Sequence, residues 1–221
     1  MNPEATVLEC QPEERVYAGW IYAFGLYKPR WQIARHLNSD WSQAVLMAKH
    51  KSESAINRFG EVIAAHLEAE LLEDQNYIIT HVPAEEDHEL YLFLEVGRCA
   101  TEMLADSIYL HMKDHARVSL AKLLIQMKPK ERKQRQCMTD RARAANVRDI
   151  YAVVNSAHMA GRIVVLVDDV LTSGATMAEC ARVLRLAGAK SVMGVALART
   201  ERMRAPVFAS GDPHGPGGDA A

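Results

Sequence analysis

The clearest hydrophobic pattern in the chain lies between residues 162 and 198. Residues 162–169, RIVVLVDD, contain an unbroken apolar run, which is typical of a strand buried on both faces. Residues 177–188 then repeat apolar positions at three- and four-residue steps and end in Gly188, as in an amphipathic helix with a glycine cap. Residues 191–198, SVMGVALA, form another apolar run. This order predicts a βαβ unit, and hence a parallel sheet covered by helices.

The hydrophobic pattern upstream predicts further elements of both types. Apolar residues recur at helical spacing from residue 42 to about residue 73. Residues 76–83, NYIITHVP, predict a short buried strand that stops at Pro83, and residues 90–112 predict a helix. Residues 149–155, DIYAVVN, predict another strand. The fold class is therefore α/β, with a mainly parallel central sheet flanked by helices.

We divide the chain into three parts by composition. Residues 1–40 form an N-terminal, aromatic-rich extension, residues 41–203 form the main domain, and residues 204–221 form a Gly/Pro-rich tail that we expect to be disordered. In the extension, residues 16–31, VYAGWIYAFGLYKPRW, predict a strand or hairpin whose rings fill a core. The alternative is a surface that stacks on a ligand or contacts a partner.

Composition restricts the class of protein. The chain has 221 residues, is 49% hydrophobic and carries a net charge of −2, which suits one compact domain without a global bias toward nucleic acid or membrane. The cysteines form no C-x-x-C pair, so neither a zinc ribbon nor a disulfide framework is predicted; they are Cys10, Cys99, Cys137 and Cys180. We find no signal-peptide core and no apolar run of about 20 residues, and expect a cytoplasmic protein without a membrane segment.

The candidate chemistry lies where the central apolar run ends. Asp168 and Asp169 follow it directly, at the end of a parallel strand where ligands of such sheets bind. The small, hydroxyl-rich residues 172–176 then lead into a helix, whose free amides and partial positive charge favour a phosphate. Gly174 permits close approach of the backbone. Carboxylates suit vicinal hydroxyls, so the pattern predicts a site for a ribose 5-phosphate.

At these residues the sequence resembles a known family. The stretch VVLVDDVLTSGAT, residues 164–176, is similar to the phosphoribosyl-pyrophosphate (PRPP) motif of the type I phosphoribosyltransferases. The resemblance extends to the ComF-like, competence-associated branch through Arg143, Asn146 and Tyr151, and through Lys49 in an early helix. It covers roughly residues 41–203 and implies the phosphoribosyltransferase type I fold.

The resemblance also implies a function and its residues. The protein would bind PRPP or a nucleoside 5′-phosphate, transfer the phosphoribosyl group to a nitrogen base and release pyrophosphate, with Mg²⁺ bound mainly through PRPP. No metal ligand is assigned to the protein itself. Asp168 and Asp169 would be the catalytic residues. The substrate-binding residues would be Thr172, Ser173, Gly174, Ala175, Thr176 and Arg143. A role with incoming single-stranded DNA, a helicase or recombination partner and a homodimer are further implications.

Two departures from the family bear on catalysis. The four-cysteine zinc ribbon with which family members commonly begin is missing, because only Cys10 lies in that region. Where the family has a basic loop after its first core strand, this chain has AEEDHE, residues 84–89. Glu85, Glu86, Asp87 and Glu89 would repel pyrophosphate unless a metal intervened. We therefore expect PRPP binding to be easier to detect than transfer.

The basic segment, residues 128–148, supports a function of a different class. It holds eight Lys or Arg against two acidic residues, a net charge of +6. It is a solvated surface, or it screens the pyrophosphate end of PRPP, or it contacts a nucleic-acid backbone. The alternative function is therefore a non-catalytic nucleotide-sensing or single-stranded DNA-binding module in DNA uptake or processing.

Overall fold

The computed structural model describes residues 6–7, 20–30, 32–84, 98–128, 130 and 139–201. Within these residues the chain forms nine strands and six α-helices. In chain order they are β1 (Thr6–Val7), β2 (Trp20–Ala23), β3 (Leu26–Tyr27), α1 (Ile33–Leu37), α2 (Asp40–Lys49), α3 (Glu53–Glu70), β4 (Tyr77–His81), α4 (Ala100–His111), β5 (Val118–Leu120), β6 (Leu124–Gln126), α5 (Asp140–Val147), β7 (Tyr151–Val153), β8 (Ile163–Leu171), α6 (Ala175–Leu186) and β9 (Ser191–Thr200).

The main sheet is largely parallel, as the sequence predicts. Its strand order is β1-β2-β9-β8-β4-β5, and β3 also pairs with β9. All of these pairs are parallel except β1–β2. β8 and β9 pair along most of their length, with Val165 opposite Met193. A separate antiparallel pair is formed by β6 and β7. The predicted α/β fold class is confirmed.

The main sheet is covered on both faces, which explains the unbroken apolar run in β8. Val164 and Leu166 belong to one buried cluster, together with residues of α6, β6 and β7. Val165 and Val167 belong to a second cluster, with residues of α2, α3 and α4. Because successive side chains of a strand point to opposite faces, both parities of β8 must be apolar. None of the helices in the described ranges combines the length and apolarity needed to cross a membrane.

The predicted βαβ unit is present as β8, α6 and β9. β8 continues two residues beyond Asp169, to Leu171, and α6 begins at Ala175 rather than at residue 177. The earlier start follows from Gly174, whose φ of +82° turns the chain directly into the helix. At the other end Gly188 has φ +105°, as the predicted glycine cap requires.

Other predictions hold with shifted boundaries. The helical pattern from residue 42 to 73 is divided between α2 and α3 by a turn at Lys51, which has φ +63°. The buried strand before Pro83 is confirmed as β4. The helix predicted at residues 90–112 is confirmed as α4 from residue 100 onward, and its first part lies largely outside the described residues. The short strands β5 and β6 were not predicted.

The aromatic segment near the N-terminus joins the main sheet. β2 and β3 both run parallel to β9, so they pair with β9 one after the other rather than forming a hairpin with each other. Tyr22 and Phe24 are 5% and 1% exposed. Both pack edge-on against the ring of His66 in α3. For these two residues the core interpretation is confirmed, because their rings contact the protein's own helix.

Candidate functional site

A pocket of about 300 Å³ lies beyond the carboxyl ends of β8 and β4. Every site residue predicted from the sequence lines it, including Arg143, which is distant in the chain from the rest. The lining residues are Lys49, Val82, Pro83, Ala84, Thr101, Lys130, Arg143, Asp168, Asp169, Val170, Leu171, Thr172, Ser173, Gly174, Ala175, Thr176 and Met177. This position is where open parallel sheets bind ligands, and the volume is within the range of ligand pockets.

The acidic pair is held by the backbone that follows it. The amide of Asp169 donates to Asp168 Oδ1 at 2.8 Å, and the amide of Val170 donates to Asp169 Oδ1 at 2.5 Å. Each carboxylate thus uses one oxygen to accept a hydrogen bond from the backbone. Among the described residues, no hydrogen bond or ion pair involves Asp168 Oδ2. That oxygen is left to meet a hydroxyl or a cation in the pocket.

Lys49, at the end of α2, neutralises part of this charge. Its Nζ lies 2.9 Å from Asp169 Oδ2. Burial lowers the pKa of Lys49, but the charge and hydrogen bond of Asp169, with a further contribution from Asp168, outweigh burial and raise that pKa overall. Lys49 is therefore charged at neutral pH, and it pairs directly with Asp169.

Asp168 titrates near neutrality. Burial raises its pKa to about 7, and the charge of Asp169 acts in the same direction. The Asp169 amide and the charges of Lys49 and Lys130 oppose this shift without cancelling it. The two aspartates are therefore unequal: one is paired with Lys49, and the other exchanges its proton in the physiological range. A ligand that needs the Asp168 carboxylate must bind more tightly as the pH rises through 7.

Residues 172–174 and the first turn of α6 form the opposite wall of the pocket. Gly174 is the N-cap of α6, and its carbonyl accepts the amide of Ala178 at 2.8 Å. The amide of Ala175 donates to Ser173 Oγ at 3.4 Å, a long bond that an incoming acceptor can replace. Amides in the first turn of a helix have no acceptor within the helix and, with the helix dipole, favour an anion.

The basic side of the pocket comes from Lys130 and from Arg143 in α5. The N-cap of α5 is Thr139, whose hydroxyl accepts the amide of Ala142 at 3.1 Å. At its other end, the amide of Asp149 donates to Glu179 of α6 at 2.8 Å. Arg182 bonds to both Glu179 and Asp149. These contacts fix α5 against α6 and so place Arg143 over the pocket.

Three lining residues with polar side chains, Lys49, Lys130 and Thr101, were not among the predicted site residues. Lys49 was noticed in the sequence only through a resemblance, and its partnership with Asp169 links positions that the linear pattern does not relate. Lys130 was one of eight cations in the basic segment. No sequence pattern marks Thr101 as a site residue. It lies beside the pocket because its Oγ1 donates a hydrogen bond to the carbonyl of Val82 at 3.0 Å. Lys128 and Arg141 are exposed, and the acidic residues 85–89 lie outside the described residues.

The acidic pair suits Mg²⁺. Carboxylate oxygens are the hard ligands that Mg²⁺ prefers, and the ion is usually held by one or two of them together with phosphates of the substrate. Asp168 Oδ2 is the donor that the described contacts leave available. The residues present therefore fit a magnesium ion brought by a phosphorylated ligand better than a metal held by protein alone.

The sheet and this pocket together define an α/β protein with a cavity at the carboxyl edge of its parallel strands, the position where sheets of this kind bind ligands. Residues 115–208 match the family model for the phosphoribosyl transferase domain. The matched segment contains Arg143, both aspartates and the loop that follows them. The match supports phosphoribosyl transfer at the level of this domain and covers less than half of the chain. A comparison with curated proteins found no match.

Solved structures similar to this chain include three that bear on phosphoribosyl chemistry by name. A hypoxanthine phosphoribosyltransferase from Staphylococcus aureus is 11% identical, with 67% of this chain and 65% of that chain covered and a TM-score of 0.42. Glutamine PRPP amidotransferase from B. subtilis, complexed with ADP and GMP, is 20% identical, with 66% of this chain and 26% of that chain covered and a TM-score of 0.40. Adenine phosphoribosyltransferase from Leishmania tarentolae is 11% identical, with 89% of this chain and 95% of that chain covered and a TM-score of 0.43. The α/β fold class rests on the observed sheet and its helices.

Proposed function

We propose that this protein binds PRPP or a nucleoside 5′-phosphate in the pocket at β8, and that it transfers the phosphoribosyl group to a nitrogen base. The observation that supports this most is the convergence of an acidic pair, a helix N-terminus and three basic side chains on one cavity. A sugar phosphate presents groups of complementary character: hydroxyls, a phosphate and, in PRPP, a second anionic group.

Each wall of the pocket has a role in this proposal. The amides of residues 172–176 hold the 5′-phosphate, with the hydroxyls of Thr172 and Ser173 as further donors. Asp168 and Asp169 accept the ribose hydroxyls. Arg143 and Lys130 face the remaining anionic group. Lys49 keeps Asp169 neutralised until the ligand arrives.

The proposed reaction is a substitution at the anomeric carbon. A nitrogen of the base forms a bond to that carbon, the bond to the pyrophosphate oxygen breaks, and pyrophosphate leaves with the electron pair. Mg²⁺, when bound with PRPP, supplies charge neutralisation for the leaving pyrophosphate. The acidic pair lies where positive charge develops on the ribose ring and stabilises it electrostatically.

The binding part of this proposal is tested by comparing substitutions at two glycines, one inside the pocket and one outside it. Calorimetry of PRPP and of nucleoside monophosphates, with and without Mg²⁺, should give saturable binding to the wild type. In Gly174→Val, a β-branched residue at φ +82° displaces the loop from the phosphate, and we expect at least a hundredfold loss of affinity. Gly161→Val is the matched control, because Gly161 has φ +73° with open space around it and lies outside the pocket. Undiminished PRPP binding by folded Gly174→Val would reject this placement.

The transfer part is tested by pyrophosphate release with a panel of purine and pyrimidine bases. We expect slow turnover with a strong magnesium dependence, because residues 85–87 are acidic where the family that the sequence resembles has a basic loop that helps to hold pyrophosphate. Replacing Glu85, Glu86 and Asp87 with neutral residues should raise PRPP affinity at low Mg²⁺. Fast turnover by the wild type at ordinary magnesium would contradict our interpretation of the acidic segment.

Other implications of the resemblance stay predictions. They are the ComF-like branch, a homodimer, a cytoplasmic location and a helicase or recombination partner. Binding of single-stranded DNA by residues 128–148 should weaken steeply with salt and on charge reversal at Lys128, Lys130 and Lys133. Fluorescence anisotropy without binding even at low salt would exclude it.

A further inference from the structure

A second group of chemically reactive side chains lies at the carboxyl end of β4. His81 is the last residue of that strand, Cys99 is the N-cap of α4, and Glu102 is in the first turn of α4. The imidazole, thiol and carboxylate ligand atoms all lie within 4.8 Å of one another. These residues are outside the lining of the proposed PRPP pocket.

The donor set is one that selects a particular class of metal. A thiolate, an imidazole nitrogen and a carboxylate oxygen are the ligands of zinc sites, whereas Mg²⁺ and Ca²⁺ take oxygen ligands only. In a tetrahedral zinc site with bonds of about 2.0–2.3 Å, ligand atoms are about 3.3–3.8 Å apart. The separations here lie close enough to these values for small side-chain rotations to close the site.

Burial and charge balance favour a divalent ion at this position. His81 and Cys99 are 4% and 3% exposed, and Glu102 is half-buried. A thiolate and a carboxylate together carry two negative charges, which a divalent cation neutralises. Such neutralisation matters because an unbalanced charge in a buried position is costly.

Glu102 can leave its present partner at little cost. Arg98 Nε lies 3.8 Å from Glu102 Oε1, a long and exposed ion pair. The same guanidinium also contacts the carboxylate of Asp106 through Nη2. If Glu102 turns toward His81 and Cys99, Arg98 keeps Asp106 as its partner. The carboxylate is therefore available as a ligand without leaving an isolated cation.

We propose that His81, Cys99 and Glu102 form a binding site for Zn²⁺ or a divalent transition metal of similar preference, with water as the fourth ligand. The ion would join the end of β4 to the start of α4, which the hydrogen bond from Thr101 Oγ1 to Val82 O already brings together. Val82, Pro83 and Thr101 line the neighbouring pocket, so the ion would also stiffen that wall. This inference does not depend on the function proposed above.

The test uses Co²⁺ as a spectroscopic probe of the full chain. Cys10 and Cys137 are first replaced by serine so that only Cys99 and Cys180 remain of the four cysteines. After chelator treatment, the reduced protein should bind one Co²⁺ and show a thiolate-to-cobalt charge-transfer band in the near ultraviolet. Zn²⁺ should displace the cobalt stoichiometrically and raise the thermal midpoint by mass action. No such band in the reduced protein overturns the proposal.

Two cysteine variants identify the ligand. Cys99→Ser should abolish the band and still fold, because serine is a preferred N-cap and should start α4 at least as well as cysteine does. Cys180→Ser is the control and should retain the band, because burial raises the pKa of the Cys180 thiol in α6 and keeps it protonated. A band that persists in Cys99→Ser overturns the proposal.

The other two ligands are tested by affinity. His81→Gln and Glu102→Gln should each weaken Zn²⁺ binding at least tenfold in competition with a chromophoric chelator. Circular dichroism checks that both variants are folded. Unchanged Zn²⁺ affinity in both variants overturns the site even if the chain binds the ion, because the metal would then be held elsewhere.

Discussion

Two neighbouring strands of the sheet, β8 and β4, are followed by connections of opposite construction. After β8, residues 172–174 lead straight into α6, and the acids and the loop that form the pocket are adjacent in the chain. After β4, residues 82–99 intervene before α4 begins, and α4 is positioned by its packing. The β8 connection therefore concentrates charge at a cost in stability, whereas α4, the helix that follows β4, depends on close packing against α3. Stability and ligand binding should respond to mutation in opposite ways in the two regions.

The largest effect on stability is expected where α4 packs against α3. A Cβ on Gly60 would lie 2.8 Å from Ser107 Cβ and 3.0 Å from its backbone carbonyl carbon, closer than real contacts allow. Gly60→Val should therefore lower the free energy of unfolding by about 3 kcal/mol in urea denaturation, because the helices must separate. Ligand affinity of the molecules that remain folded should change little.

The matched control for this prediction is Ala65→Val on the same helix. Ala65 is exposed, so the substitution measures only the lower helix propensity of valine, about 0.5 kcal/mol. If both variants were equally stable, close α3–α4 packing would not be what holds the β4 connection.

The second prediction concerns Asp168, where substitution should raise stability rather than lower it. Unfolded Asp168 loses its proton near its ordinary pKa, whereas the folded protein keeps it until about pH 7. Between these values the folded state binds more protons, so the contribution of Asp168 to stability falls as the pH rises. Asp168→Asn removes this penalty and should gain about 2 kcal/mol at pH 8 but little at pH 4. PRPP affinity should fall at least tenfold.

Urea denaturation at the two pH values measures this difference, with Asp114→Asn as the exposed control that should shift by less than about 0.5 kcal/mol at either pH. If the stability difference between Asp168→Asn and the wild type did not depend on pH, ionised Asp168 would not destabilise the folded protein.

The smallest effect is expected for Glu179, which joins α6 to the chain after α5. Glu179→Gln keeps an acceptor for the amide of Asp149 but removes the charge that Arg182 contacts. We expect a loss of about 1 kcal/mol in stability. PRPP affinity should fall two- to fivefold, because α5 carries Arg143 into the pocket. Glu68→Gln, an exposed change on α3, should alter neither quantity. If both variants bound PRPP equally well, the position of Arg143 would not depend on the contacts of Glu179.

The β8 connection was predictable because its determinants are local. The apolar run, the two aspartates and Gly174 succeed one another, so the sequence defines both the strand and the pocket wall. The error in the start of α6 also has a local cause: Ala175 and Thr176 look like loop residues, but the positive φ of Gly174 already places them in the helix.

Apart from Arg143, the rest of the site was not predictable because it is assembled across the sheet. Lys49 meets Asp169 only because α2 ends beside β8. His81 and Cys99 come together only because α4 returns to the end of β4. The strands β5 and β6 are three residues each, too short for a period-two pattern to distinguish them from loop.

The position of β2 has a consequence for the time course of folding. β2 pairs with β9, and Trp41 Nε1 donates to the carbonyl of Leu197, 156 residues later in the chain. A ribosome adds about 5–20 residues per second, so the early segment waits on the order of ten seconds or more for its partner. During that interval β2 lacks its parallel neighbour β9, although β1 has already been synthesised, and Trp41 Nε1 lacks the carbonyl that accepts its hydrogen bond. Nascent chains stalled before β9 should therefore engage chaperones strongly, and release should coincide with the emergence of that strand.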